Sequence, residues 1–359
     1  MKFLNEKEIV EVCSSIFASK NKSVLQGIGD DAAVLKFGNR KLLATTDSLQ
    51  EKIHFDWKYT SPYFLGRKAL AVNLSDIAAM GGKPLWALLS IAIPSFTHAG
   101  RGDATGGPPN SASSEAMPNL GVRSGRTRSR ILNDFFRGLQ SCAKEFGVSI
   151  VGGDTDHSLK DWKITITLLG EVENPICRKG AKVGDDIWVT GFLGCSALGL
   201  EILRKSEACF ALTKDNKKFI EAHLNPPPRV LVGGVLSKNK LAHAMIDVSD
   251  GLLLDLERLC EASKVGAEIE WENIPLSSGF VELCQDLKKN PKVLALSGGE
   301  DYELLFTAPV RNRKKIESLL KKTKTPICRV GKIISGKKVR VLDKKQNEII
   351  LNKKGYSHF

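Results

Sequence analysis

Apolar and polar residues follow two different periodicities along the chain, and their succession predicts strands that alternate with helices. Alternation with a period of two, or a short continuous apolar run, favours a strand, whereas apolar residues three and four positions apart favour a helix. A chain that switches repeatedly between these patterns is typical of an α/β or α+β fold. The predicted strands are 41–47, 84–93, 148–151, 163–172, 186–190, 245–247, 293–296, 302–307, 327–334 and 339–342, and the predicted helices are 6–19, 61–80, 131–146, 196–205 and 251–264.

The helix at 61–80 has the clearest boundaries. Ser61 can cap its first turn, Pro62 has the fixed φ angle of a first helical residue, and the glycines after residue 80 end it. This helix is otherwise largely apolar, yet it contains Asp76. Because a carboxylate among apolar side chains is costly unless a cation or hydrogen bonds compensate it, Asp76 is a candidate functional residue.

Two stretches interrupt the pattern. Residues 95–129 are rich in Gly, Ser, Pro and Arg, and they cannot bury enough apolar surface to offset the entropy lost on ordering. We therefore expect a disordered insertion there. Asn174-Pro175 interrupts the pattern again and predicts a domain boundary, with an N-terminal domain over 1–173 and a C-terminal domain over 174–359.

The formal net charge of +13 comes from one part of the chain. Residues 311–354 contain 16 of the 53 Lys and Arg and 3 of the 40 Asp and Glu, which leaves 37 of each sign elsewhere. This stretch is either a solvated Lys-rich surface or a patch for nucleic acid or another acidic partner. We favour the solvated surface, because the basic residues alternate with apolar ones and no aromatic residue lies between them.

The composition excludes several classes of protein. With 42% apolar and 26% charged residues, the chain is typical of a globular protein and not of a disordered, collagen-like or disulfide-rich one. No apolar run approaches the roughly 18 residues of a membrane span, and acidic residues near the N-terminus argue against a signal peptide. The 8 cysteines form no C-x-x-C pair, so we expect buried thiols in a cytoplasmic protein.

Acidic residues recur at predicted turns and element ends, most of them beside glycines. They are Asp30 and Asp31 in G-I-G-D-D, Asp47 in T-T-D, Asp154 in G-G-D-T, Asp247 and Asp250 in D-V-S-D-G, and Glu300 and Asp301 in G-G-E-D. Carboxylates gathered in one site repel each other unless a divalent cation binds, and hard oxygen ligands select Mg²⁺, which bridges substrate phosphates. Glycines let the backbone approach phosphates closely. The set therefore indicates phosphoryl transfer.

Taken together and in order, these motifs resemble the thiamine-monophosphate kinase family, within the aminoimidazole ribonucleotide synthetase-like superfamily. The resemblance rests on G-I-G-D-D-A-A-V at 27–34, T-T-D-S-L at 45–49, N-L-S-D-I-A-A-M-G-G at 73–82, V-G-G-D-T at 151–155, D-V-S-D-G-L at 247–252 and S-G-G-E-D-Y-E-L at 297–304, and it extends to the final G-Y-S-H-F. It implies that ATP phosphorylates thiamine monophosphate to thiamine diphosphate by direct in-line transfer with Mg²⁺. No covalent nucleophile or general base is then expected, because the acceptor phosphate is already ionised near neutral pH.

The resemblance also implies roles for individual residues and a fold. The metal-binding positions would be Asp30, Thr45, Thr46, Asp47, Asp76, Asp154, Asp247 and Asp250; the ATP contacts Phe136, Gly153, Asp154, Arg178 and Ser249; and the substrate contacts His54, Glu300 and Tyr356. The implied fold pairs an N-terminal sheet domain, which forms a homodimer, with a C-terminal α+β domain. The site would lie in the cleft between the two domains.

The chain departs from the family pattern at 95–129, where a much shorter linker is usual. The family has an aromatic ATP contact in the helix that follows, and Phe136 stands at about that position with a ring that could only stack. Two other functions stay open, namely another enzyme of the same fold that uses ATP to activate an oxygen or an amide, and a nucleic-acid-binding protein without catalysis. The set of acidic residues argues against the second.

Overall fold

The structure is a computed structural model that describes residues 6–17, 21–94, 128–205, 214–351 and 354–356. Within these residues the chain forms two units, each with a six-stranded mixed sheet and helices packed against it. This confirms the predicted two-domain fold of sheets and helices. Residues 95–127 of the predicted insertion lie outside the described residues, and so does Cys209. The last two residues of the predicted insertion, 128 and 129, are helical and begin α3 (Arg128–Phe146). No helix in the described ranges is long and apolar enough to cross a membrane.

The N-terminal unit has one covered and one open sheet face. Its elements are α1 (Glu6–Ile16), β1 (Val24–Gln26), β2 (Ala33–Phe37), β3 (Arg40–Gln50), α2 (Pro62–Ala79), β4 (Lys83–Pro94), α3 (Arg128–Phe146), β5 (Ser149–Ser158) and β6 (Lys163–Val172). The strand order is β1-β2-β3-β6-β4-β5, with β4 and β5 parallel and the other pairs antiparallel. Ile164, Ile166 and Leu168 of β6 share a core with α2 and α3, whereas Trp86 and Leu88 on the opposite face are exposed.

The C-terminal unit has helices on both faces of its sheet. Its elements are β7 (Asp186–Thr190), α4 (Cys195–Lys205), α5 (Lys214–Leu224), α6 (Val230–Lys238), β8 (Ala244–Val248), α7 (Leu252–Ser263), β9 (Gly266–Glu270), α8 (Phe280–Asp286), α9 (Pro291–Ser297), β10 (Glu303–Ala308), α10 (Arg313–Leu320), β11 (Ile327–Ile334) and β12 (Val339–Leu342). The strand order is β12-β9-β11-β7-β10-β8, and β9 and β12 are parallel. One core contains α4, α5 and α7 to α9, and a smaller core on the other face contains α6 and α10.

Helix α2 joins the two units. Ser61 caps its first turn by accepting a hydrogen bond from the Phe64 amide at 3.3 Å, as its sequence predicts. Leu74 lies in the core of the N-terminal unit, whereas Ala78 and Ala79 pack with α6 in the smaller core of the C-terminal unit. Because α2 is buried on most sides, its polar side chains have positions set by partners from both units.

One predicted strand is wrong in type. Residues 293–296 are part of helix α9 and do not form a strand. The Asn290 side chain accepts a hydrogen bond from the Lys292 amide at 2.9 Å, and Pro291 occupies the first turn. These two helix-start signals outweigh the short apolar run that favoured a strand.

The predicted strand at 148–151 is too short. Strand β5 continues to residue 158 through parallel pairing with β4, so Asp154 lies inside a strand and not in a turn. At Gly153 the φ angle is 153°, and a Cβ atom there would overlap the carbonyl oxygen of Leu89. Gly153 therefore serves the close approach of two strands and does not form a turn.

Several basic residues of the stretch at 311–354 form ion pairs with acidic side chains. Both Arg340 and Lys332 contact Glu268, with N···O distances of 2.5 Å and 3.3 Å. Lys338 Nζ lies 2.7 Å from Glu348. The local charge of this surface is therefore lower than the count of basic residues suggests.

Helices α2 and α3 approach each other most closely at two glycines. A Cβ atom at Gly66 would overlap the carbonyl oxygen of Phe135, and one at Gly138 would overlap that of Tyr63. The helices therefore pack backbone against backbone at this crossing, where a larger side chain has no space.

We expect Gly138→Ala to lower the free energy of unfolding by about 1–3 kcal/mol, because the added methyl group must push the two helices apart. The matched control is Gly234→Ala in α6, where nothing lies within 4 Å of the added Cβ. The control should be neutral or stabilising by up to about 1 kcal/mol, since alanine has the higher helix propensity. Denaturant unfolding measures both variants, and equal effects would contradict the close crossing.

Candidate active site between the two units

Three carboxylates from three different elements meet where the two units adjoin. Asp31 lies in the loop before β2, Asp76 in the last turn of α2, and Asp247 in β8. One oxygen of each lies within 4.8 Å of the others. We call these three residues the acidic centre.

Two hydroxyl groups orient the acidic centre. Thr45 Oγ1 on β3 donates a hydrogen bond to Asp76 Oδ2 at 2.5 Å. Ser75 Oγ on α2 donates to Asp247 Oδ2 at 2.6 Å. Each hydroxyl fixes one carboxylate oxygen without adding charge, so the repulsion between the carboxylates is not cancelled.

Arg178 donates a hydrogen bond from its guanidinium to the acidic centre. Its Nη2 donates to Asp31 Oδ1 at 2.5 Å, and its backbone N–H donates to the Asp30 carboxylate at 3.2 Å and 3.3 Å. Burial raises the pKa of Asp31, and Arg178 counteracts only part of this effect. The other oxygen, Asp31 Oδ2, is buried and has no hydrogen-bond partner among the described residues. An acceptor left in this state is unfavourable unless a cation or donor compensates it.

The electrostatics of the acidic centre fit a divalent cation. Burial raises the pKa of Asp76 well above its usual value, and the charges of Asp47 and Asp247 raise it further. Burial also raises the pKa of Asp247, and the charge of Asp31 adds to this. Raised pKa values mean that the ionised carboxylates are unfavourable in the fold as it stands. Hard oxygen donors of this kind suit Mg²⁺, so the residues present fit the predicted metal.

Asp47 and Asp250 lie at the rim of the acidic centre. Asp47 pairs with Ile166 across β3 and β6, which places its side chain on the face of the sheet that α2 covers. Asp250 follows β8, interacts electrostatically with Asp47 and accepts a hydrogen bond from Arg258 Nη1 at 2.6 Å. Both acids are therefore placed to extend the ligand set.

Of the three predicted substrate contacts, Glu300 and Tyr356 lie beside the segment 249–250, and His54 lies near Glu300. The Glu300 amide donates to the carbonyl oxygen of Ser249 at 2.7 Å, and the Tyr356 amide donates to that of Asp250 at 2.9 Å. The Tyr356 side chain is exposed. His54 interacts electrostatically with Glu300. The backbone thus brings loops from both units and the C-terminal segment to one side of the acidic centre.

Comparison with known proteins agrees with this arrangement. The family "AIR synthase related protein, N-terminal domain" matches residues 29–172, and "AIR synthase related protein, C-terminal domain" matches residues 182–344. Thiamine-monophosphate kinase from Buchnera aphidicola subsp. Schizaphis graminum is 35% identical over 99% of each chain, and that from Bacillus subtilis is 36% identical over 94% of this chain and 95% of its own. The chain belongs to the thiamine-monophosphate kinase family.

A solved structure of the family has the same fold throughout. AaThiL complexed with AMPPCP and TMP is 30% identical and covers 100% of this chain and 99% of its own, with a TM-score of 0.79. The agreement extends over both sheets of this chain. The family membership and the fold predicted from the motifs are therefore confirmed.

Two positions predicted from the thiamine-monophosphate kinase family lie apart from the acidic centre within this chain. Gly153 on β5 is in register with Asp47 across β6 and β4. Three strand spacings separate them, or about 14 Å. Asp154 is the next residue on β5 and is exposed. A ligand that contacts both groups must therefore extend across the sheet, and the roles of Gly153 and Asp154 stay predictions.

Two further family positions also point away from the acidic centre. Thr46 Oγ1 donates to the carbonyl oxygen of Ile166 at 3.2 Å and lies on the sheet face opposite to Thr45. Phe136 on α3 is exposed, next to the buried Phe135. Neither side chain reaches the three carboxylates through a described contact, so the roles of Thr46 and Phe136 stay predictions as well.

The sequence alone misses two features of the site. The family resemblance predicts Asp30 as a metal ligand, whereas the structure brings its neighbour Asp31 to Asp76 and Asp247. Adjacent acids cannot be distinguished by sequence position, because only the direction of each side chain decides. Lys68 is the second feature, a buried lysine in the largely apolar α2. The signal that drew attention to Asp76, a charge on an apolar helix, also applied to Lys68.

Proposed function

We propose that this chain catalyses the ATP-dependent phosphorylation of thiamine monophosphate to thiamine diphosphate, with ADP as the second product. The observation that carries the proposal is the acidic centre, which contains a buried carboxylate oxygen without a partner among the described residues. Phosphoryl transfer requires such a site because charge on the phosphates must be neutralised. The relatives are named for this reaction, and AaThiL binds AMPPCP and TMP.

Magnesium would be held first by Asp31, Asp76 and Asp247. When bound, it neutralises charge on the transferred phosphoryl group and orients the phosphates. Asp47 and Asp250 lie at the rim of the acidic centre and support this assignment, because the charge of Asp47 raises the pKa of Asp76. The further metal contacts that family resemblance predicts are Asp30, Thr45, Thr46, Asp47, Asp154 and Asp250.

Arg178 is proposed to contact the phosphates of ATP. Its guanidinium balances Asp31, and its side chain keeps 22% of its surface exposed toward solvent. Because a guanidinium has several donors in one plane, it can hold a carboxylate and a phosphate together. The other proposed ATP contacts are Phe136, Gly153, Asp154 and Ser249.

The transfer itself needs no nucleophilic side chain. An oxygen of the substrate phosphate attacks the γ-phosphorus of ATP, the bond from that phosphorus to the bridging oxygen breaks, and ADP leaves. No side chain has to remove a proton, because the attacking phosphate is already ionised. The protein contributes positioning and fixed charges, which are the main sources of rate acceleration in this chemistry.

The thiamine moiety is proposed to bind at His54, Glu300 and Tyr356. Tyr356 offers an exposed aromatic face, which attracts a cationic thiazolium ring. Glu300 offers a carboxylate that accepts hydrogen bonds and balances positive charge. The backbone bonds that place both residues beside Ser249 and Asp250 support this assignment.

A homodimer is proposed to form through the open face and edge of the N-terminal sheet. Trp86 and Leu88 on that face are 42% and 41% exposed, and Ile150 and Val151 on the edge strand β5 are 39% and 58% exposed. Exposed apolar side chains on an unpaired edge strand favour association with another sheet. A second copy of the chain offers the same surface.

A cytoplasmic location is proposed from the state of the thiols. The described cysteines are all free, and Cys142, Cys195, Cys260 and Cys284 are buried. Free thiols are typical of reducing compartments, where disulfides do not persist.

Incubation of the purified chain with Mg²⁺, ATP and thiamine monophosphate should yield thiamine diphosphate, measured by chromatography after oxidation to the fluorescent thiochrome form. Asp76→Asn should lower kcat by about a hundredfold or more and change the KM for ATP far less, because a lost metal ligand weakens the transition state most. Asp286→Asn, at an exposed acid of α8, is the control and should behave as wild type.

Absence of thiamine diphosphate at every Mg²⁺ concentration would contradict the proposed function. Turnover of another acceptor in place of thiamine monophosphate would favour a different enzyme of this fold. Unchanged kcat in Asp76→Asn would show that the acidic centre is not the metal site.

The wild-type chain should sediment as a dimer, and Trp86→Glu should shift it to a monomer, because a charge on the open sheet face prevents apolar contact. The matched control is Val183→Glu, at a residue that is 61% exposed in the turn before β7. Analytical ultracentrifugation measures both. A monomeric wild type, or a dimer that survives in Trp86→Glu, would place the interface elsewhere or remove it.

A further inference from the structure

Lys68 is a buried lysine to which the proposed reaction assigns no role. It lies on α2 and is 1% exposed, and its Nζ lies 3.0 Å from Glu300 Oε1. Lysine is almost never fully buried unless it is paired, because removal of an ammonium group from water is costly. Since Lys68 belongs to the N-terminal unit and Glu300 to the C-terminal unit, this ion pair crosses the cleft.

The second oxygen of Glu300 faces His223 on α5. Nδ1 of His223 lies 3.3 Å from Glu300 Oε2 and 3.0 Å from Ser196 Oγ. Burial, followed by the charge of Lys68, lowers the pKa of His223 to about 3, so the ring is neutral near neutral pH. His223 is therefore a polar neighbour, and the ion pair that balances Glu300 is the one with Lys68.

The backbone also restricts Glu300. Its φ angle is 67°, in the left-handed region that residues other than glycine adopt at a cost. Its amide donates to the carbonyl oxygen of Ser249 at 2.7 Å. The side chain nevertheless keeps 24% of its surface exposed, so the carboxylate can still meet a ligand in the cleft.

We propose that Lys68 is a positioning residue that holds the Glu300 carboxylate ionised and directed toward the thiamine moiety of the substrate. The inference rests on the proposed function, in which Glu300 contacts thiamine monophosphate. Without Lys68 the partly buried carboxylate loses its ion-pair partner, so it takes up a proton or turns toward water. The substrate then loses a charged acceptor, whereas the nucleotide side of the cleft keeps its contacts.

The test is a double-mutant cycle of wild type, Lys68→Met, Glu300→Gln and the double variant. Calorimetry gives the dissociation constant for thiamine monophosphate, and steady-state kinetics give the KM for each substrate. We expect Lys68→Met to weaken thiamine monophosphate binding by about tenfold or more, as for loss of a charged hydrogen bond. The KM for ATP should change by less than about twofold, because the pair acts on one substrate only.

The double variant decides how Lys68 acts. If Lys68 works through Glu300, the double variant binds thiamine monophosphate no more weakly than Glu300→Gln. This comparison holds even if Lys68→Met alone fails to fold, since the double variant leaves neither charge buried without its partner. Arg67→Met is the matched control, because Arg67 is the neighbouring residue on α2 and pairs with Glu145 at 2.6 Å instead.

Wild-type affinity in Lys68→Met or in Glu300→Gln, or multiplied losses in the double variant, would overturn the positioning role while the proposed function stands. An equal loss in Arg67→Met would overturn it too, because the effect would then belong to the helix as a whole. A wild-type chain that binds no thiamine monophosphate would overturn the proposed function and this inference with it.

Discussion

Repulsion among the buried carboxylates of Asp31, Asp76 and Asp247 is the constraint on which the rest of the site depends. Two unit charges about 4 Å apart repel by about 4 kcal/mol at the effective dielectric constant of a protein surface. Arg178 donates a hydrogen bond to Asp31, and its charge offsets only part of the effect of burial on the pKa values of Asp31 and Asp247. The hydroxyls of Thr45 and Ser75 orient Asp76 and Asp247 without neutralising them. A fold retains such a cluster at a cost to its own stability, and a bound divalent cation removes that cost.

Helix α2 carries residues at both ends of the candidate site. It packs in a core of each unit, so its position is set from both sides. Asp76 near its C-terminal end belongs to the acidic centre, and Lys68 contacts the loop that carries Glu300. Eight residues of helix separate the two, a rise of about 12 Å. One rigid element therefore sets the spacing between the proposed phosphate-binding end and the proposed thiamine-binding end of the cleft.

Much of the fold could be predicted because its elements carry local signals. The strands at 163–172 and 327–334 have the predicted bounds, and α2 begins at its predicted cap. Along 163–172 buried and less buried positions alternate, as in a strand with one buried face. The prediction was wrong at 293–296, where a short apolar run is equally compatible with a helix. At β5 two glycines suggested a turn, although Gly153 lies inside the strand and lets it pack closely against β4.

The candidate site was predictable in its chemistry and less so in its geometry. Acidic residues at turns, and Asp76 on a largely apolar helix, indicate metal-assisted phosphoryl transfer from the sequence alone. The approach of Asp31 to Asp76 and Asp247 depends on side-chain direction, which sequence position does not encode. The metal-binding role of Asp30 stays a prediction. The pairing of Lys68 with Glu300 joins residues from two units, and no local pattern reports such a long-range contact.

The acidic centre should destabilise the fold until a divalent cation binds, and thermal unfolding of wild type and Asp76→Asn tests this directly. A carboxyl whose pKa is raised by folding costs stability at every pH above its unfolded value of about 4, so the neutral asparagine should raise the Tm in EDTA at pH 8. With saturating Mg²⁺ the order should reverse, because wild type gains binding energy that the variant has lost. Equal Mg²⁺-induced shifts in the two proteins, or a wild type that is the more stable in EDTA, would contradict the account.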